Sequence, residues 1–85
     1  MKLPVLKQVS GFIQKHDRDF VEEAIMVLED ISEARGWKEE ELNTIGELIS
    51  NLSGGLEVHS MEEKEGLSTK EAANAFMKRV MGSID

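Results

Sequence analysis

Between positions 42 and 59 the side chains Leu42, Ile45, Ile49, Leu52, Leu56 and His59 recur at alternating steps of three and four. That period places them on one face of an α-helix. Leu48 widens the stripe, and so wide an apolar arc belongs to a central helix covered on more than one side. Glu39, Glu40 and Glu41 suit the positive end of the helix dipole. Gly66 supplies a stop, so the pattern predicts a helix over 39–65. Gly54 and Gly55 fall inside it and mark a kink or a close backbone approach. The alternative is two shorter helices broken at that pair.

The flanking segments are punctuated as three further helices. Pro4 fits a first helical position, where no amide donor is needed, and Val5, Leu6, Val9, Phe12 and Ile13 follow at helical spacing. His16 and Asp17 end that pattern. Asp19 and Glu22 read as a capping box for a second helix. Its inner face is Phe20, Ala24, Ile25, Leu28 and Ile31, and its stop is Gly36. Trp37 is placed to staple onto Leu42. Ser68 and Glu71 form another capping box, with Leu67 placed to staple onto Ala72. Ala72, Ala73, Phe76, Met77 and Val80 then face inward until Gly82. No strand-like alternation or hairpin dipeptide occurs. The expectation is an all-α domain over 1–85, a small bundle of about four helices with a long central third. One continuous core of Val9, Phe12, Ile25, Leu28, Ile45, Ile49, Leu52, Phe76 and Val80 is expected.

The 85 residues include no cysteine, so neither a disulfide nor a thiolate ligand is available. A chain this short buries only about 60–65% of its unfolded surface, which leaves stability marginal without help. No apolar run approaches the length of a membrane span, and the N-terminal stretch is broken by Lys7, Gln8, Ser10 and Gly11. A soluble cytoplasmic protein is expected, with no membrane association. The net charge is −7. It is divided unevenly: residues 1–18 carry four basic and one acidic side chain, and residues 19–66 carry three basic and fourteen acidic. An overall anion is a poor ligand for a phosphate backbone, so nucleic acid is not expected as a partner. Lys15, Arg35, Lys64, Lys78 and Arg79 lie near predicted helix C-termini, where they complement the dipole.

The segments MKLPVLKQVSGFI, IGELISNLSGGLEV and KEAANAFMKRVMGSID together resemble a family of short bacterial proteins classed as a domain of unknown function. The resemblance covers nearly the whole chain. It implies a compact helical domain and no activity, so it carries over no catalytic residue.

Groupings that carry chemistry are sparse. His59, Glu62 and Glu63 share a helix face at i, i+3 and i+4. Di-iron bundles need paired Glu-x-x-His motifs, and the chain has none. Two or three ligands on one helix are too few for a site, so His59 is read as closing the apolar stripe with both glutamates in solvent. No nucleophile elbow or phosphate-binding glycine loop occurs around Ser10, Ser53 or Gly54. Met26, Met61, Met77 and Met81 read as fillers of irregular core gaps. No catalytic residue, cofactor or metal is expected, and enzyme activity is the less favoured reading. One pattern carries more weight. Gly46, Ser50 and Gly54 form a strip of small residues that lets another helix approach closely, from the same chain or from a second copy. With Leu48 and Leu52 it makes the candidate interface. The expected function is a non-catalytic helical interaction module, acting as a homodimer or through a partner protein. An accessory subunit of an enzyme and a metal-binding helical protein are the alternatives.

Overall fold

The computed structural model describes residues 1–82 and contains four helices and no strand among them. They are α1 (Leu3–Lys15), α2 (Asp19–Ile31), α3 (Glu39–Glu65) and α4 (Thr69–Gly82). α3 runs unbroken through Gly54 and Gly55. Its start is secured by the Glu41 carboxylate, which accepts from the Lys38 backbone N–H at 2.8 Å. Its end is Gly66, at φ 66, in the left-handed region. α4 opens on the reciprocal box read from the sequence: the Ser68 N–H donates to Glu71 Oε1 at 3.0 Å, and the Glu71 N–H to Ser68 Oγ at 3.1 Å. The Ser68 amide, with its hydroxyl second, holds the Glu71 carboxyl below the usual carboxylate range. The stabilisation from this pairing is present above the ordinary carboxylate pKa and is lost as pH falls through the lowered one.

α1 runs parallel to the C-terminal half of α3, and α2 and α4 run antiparallel to it. The contacts fix this sense. The Lys2 N–H donates to Asn51 Oδ1, and Gln14 reaches Glu62 and Thr69. Arg18 Nη1 donates to Ser60 Oγ at the start of α2. A Cβ built on Gly54 would lie 2.7 Å from Leu6 Cδ2 and 3.3 Å from Phe76 of α4. One built on Gly55 would lie closer still to Val9 Cγ1. The glycine pair is therefore the close approach, not a kink. With no side chain between them, α1 seats directly on the α3 backbone.

The apolar interior falls into two clusters rather than one. Leu6, Val58, Met61, Ala72 and Ala73 fill the α1–α3–α4 junction. Val9, Ile13 and Val21, with Ile25, Leu52 and Leu56 against them, fill the α1–α2–α3 junction. Ile45 is buried farther along α3. Phe12 does not belong to the core: it is 41% exposed, because α3 and α4 cover Leu6, Val9, Ser10 and Ile13 on the neighbouring side of α1.

α2 departs most from expectation. Val21 is its one buried residue, while Phe20 and Ile31 are exposed, so the inner stripe is turned by one residue. The Asp19–Glu22 box does not form. Arg18, the N-cap, is helical and makes no side-chain cap, and Glu22 pairs with Arg18 at 3.4 Å. The helix stops at Ile31, five residues before Gly36, whose φ of 101 serves the following loop. Arg35 is consequently not in the last turn of α2, which has no basic residue. Trp37 turns back to that helix end, its Nε1 donating to Ile31 O at 2.7 Å.

The same substitution should act with opposite sign along α3. Gly55→Ala must displace Val9, and overpacking of this kind costs about 1–3 kcal/mol. Gly46 has open space around a Cβ, so Gly46→Ala should gain up to about 1 kcal/mol from helix propensity. Urea denaturation of both variants checks this, and equal midpoints would contradict the close approach.

Candidate functional site

The five residues of the predicted interface do not share one environment. Gly54 is buried and packed by α1 and α4 of its own chain. Gly46 and Ser50 are exposed. Leu48 is 47% exposed, and Leu52, one turn further on, is half-buried. The small-residue strip is thus divided: its C-terminal member is used inside the fold, and its other two members face outward.

Leu52 is the floor of an open apolar groove between α1 and α2. Val9 and Phe12 line one wall, and Phe20, Val21 and Ala24 the other, around a volume of about 310 Å³. Val27 and Ile31 continue the Phe20 stripe along α2 and are exposed too. At the groove's end the rings of Phe12 and Phe20 meet edge-to-face at 6.4 Å, and His16 lies 4.5 Å from Phe12 and 6.4 Å from Phe20. Such contacts favour fixed aromatic positions even at a surface. The periodicity of α1 and α2 contains these residues. It does not tell which flank of a wide apolar stripe a neighbour will leave open.

The polar groups that meet between the helices are not legible in the sequence. Ser10 is fully buried and donates to Glu62 Oε2. Gln14 Nε2 and Thr69 Oγ1 each donate to Glu62 Oε1 at 2.7 Å, and Gln14 also reaches Thr69 at 3.1 Å. One carboxylate from α3 therefore gathers donors from α1 and from the first residue of α4. Asn51, buried as well, accepts from Lys2 and donates to Glu47 O at 2.8 Å. The sequence spacing puts Glu62 in solvent beside His59; the structure instead makes it the acceptor of three side-chain donors. The weak signal was that Ser10 falls among Leu6, Val9 and Ile13 on the buried face of α1.

This arrangement separates the three residues considered for metal binding. Glu62 is occupied by its three donors. His59 Nδ1 lies 3.4 Å from Glu63 Oε1, outside hydrogen-bond geometry, and Glu63 is largely exposed. Among the described residues no group of three or more His, Cys, Asp or Glu is placed to hold a metal ion. No helix among them is long and apolar enough to cross a membrane.

A family profile matches residues 1–85. The chain belongs to a family of unknown function, DUF6952. No curated protein and no solved structure matches it. The membership covers the whole sequence and assigns no activity to any residue.

The Glu62 network has a direct test. Ser10→Ala removes a buried donor from a carboxylate and should cost about 1–3 kcal/mol. Ser53→Ala, at an exposed position of α3, should stay within about 0.5 kcal/mol of the parent. Thermal or urea unfolding compares the two, and equal effects would show that the network contributes nothing.

Proposed function

We infer that this chain is a non-catalytic helical interaction module that works as a homodimer. The observation that carries the reading is the distribution of apolar side chains. Among the described residues nine apolar side chains are buried, two of them alanines, whereas ten large ones are exposed. Single exposed apolar residues are ordinary, but a contiguous set on neighbouring helices marks a surface that is covered by something else.

The shape supports the same reading. The Cα trace extends 44 × 34 × 17 Å, and its radius of gyration is 13.7 Å. Scaling for a globular chain of this length gives about 12 Å. Two packed helices occupy roughly 13–15 Å from outer Cα to outer Cα. The thin dimension thus holds no more than two layers. Among the twelve α3 residues before Asn51, Ile45 alone is buried, while Leu42 and Leu48 are exposed. A second copy adds the missing layer without any new sequence, and with no disulfide it is the available source of extra burial.

Multi-angle light scattering on the full chain should give twice the chain mass of 9.5 kDa at micromolar concentration and physiological salt. A mass of one chain across a wide concentration range would overturn the homodimer.

A further inference from the structure

We propose that the second copy sits on the Phe12–Phe20–Leu52 groove, related by a twofold axis that lays the basic strip of α1 over the acidic side of the partner's α2. The proposal rests on the homodimer reading above and adds the face and the register. The strip of Gly46 and Ser50 is the competing face.

Charge is what selects a second copy as the occupant. Past Phe12 and Gln8, the next side chains around α1 are Lys7 and Lys15, beside an open depression that Pro4 and Gly11 also line. Past Phe20 and Val27, the next around α2 are Asp19, Glu23 and Asp30, all exposed. The apolar groove therefore has a positive margin on one side and a negative margin on the other. Among the described residues none of these five charges has an ion-pair partner within the chain. A twofold axis lying in the plane of the contact and running along the groove exchanges its two sides. Lys7 and Lys15 of each copy then face Glu23 and Asp30 of the other, twice over.

The same operation removes the main electrostatic objection to self-association. Residues 19–50 carry ten acidic side chains against two basic, so any pairing that stacks α2 on α2 brings like charges together. The crossed arrangement places the acidic margin against the basic residues of 1–18 instead. Complementarity of this kind chooses register and suppresses wrong pairings more than it adds affinity, which comes from covering Phe12, Phe20 and Leu52.

Sedimentation equilibrium of the full chain and five variants separates the possibilities. Phe20→Glu, at a position 58% exposed in the single chain, should abolish the dimer while far-UV circular dichroism keeps its helical signal. Phe20→Gln, which adds no charge, should weaken it as well and guards against a misfolded first variant. Reversing Lys7 and Lys15 to glutamate should weaken association at least about tenfold. Reversing Glu23 and Asp30 to lysine in that same chain should restore it. Weakening without restoration overturns the register. Dimers indifferent to Phe20, but lost in Gly46→Leu, overturn the face while leaving the homodimer intact. A parent chain that is itself monomeric fails the homodimer reading first and this inference with it.

Discussion

The approach of α1 to Gly54 and Gly55 is the contact on which the other arrangements depend. A helix axis ordinarily stands 8–10 Å from its neighbour because side chains hold the backbones apart. Here α3 offers none at two successive positions, and Leu6 and Val9 occupy the vacated space. That depth brings Ser10 and Gln14 within reach of Glu62. It also brings the start of α1 to Asn51, where the Lys2 amide is held. Phe76 of α4 closes on Gly54 from another side. Replace the glycines by larger residues and each of these partners moves out of range together.

The buried polar groups add direction to that packing. Apolar contact between α1 and α3 would tolerate sliding by a turn, since Leu, Val and Ile are nearly interchangeable as fillers. Glu62 does not tolerate it. Its two oxygens are matched to donors from Ser10, Gln14 and Thr69, and a shift of one turn would leave a half-buried carboxylate without them. The network therefore specifies which turn of α1 meets which turn of α3. Thr69, the first residue of α4, is held at the same point.

What the sequence disclosed was mainly local. The bounds of α3, the stop at Gly66 and the Ser68–Glu71 box depend on residues within a turn of one another, and they were readable. The stop at Ile31 was hidden because Gly36 is the more conspicuous signal, although Ser32 already turns its hydroxyl to Glu29 O at 2.7 Å. Facing was harder. On α2 the apolar residues at 20, 21, 24, 25, 27, 28 and 31 span more arc than one neighbour covers, so which of them are buried depends on α3 rather than on α2. On α3 the buried face changes along its length, with Ile45 buried in the N-terminal half and with Val58 and Met61 toward α1 and α4. No single stripe describes such a helix. Of the candidate interface, Leu52 lines the open groove and Leu48 is exposed, whereas Gly54 is taken up by the fold.

The parallel alignment of α1 with the far half of α3 also bears on how the chain acquires its structure. Ser10 and Glu62 are 52 residues apart, and Gln14 and Thr69 are 55 apart. α1 has no seat until nearly three quarters of the chain has left the ribosome. Until then its apolar face and that of α2 have only each other, across the side that remains a groove in the finished fold. Closing loops of this length costs entropy before any contact offsets it. Assembly is accordingly expected to be slower than in a bundle of sequential hairpins.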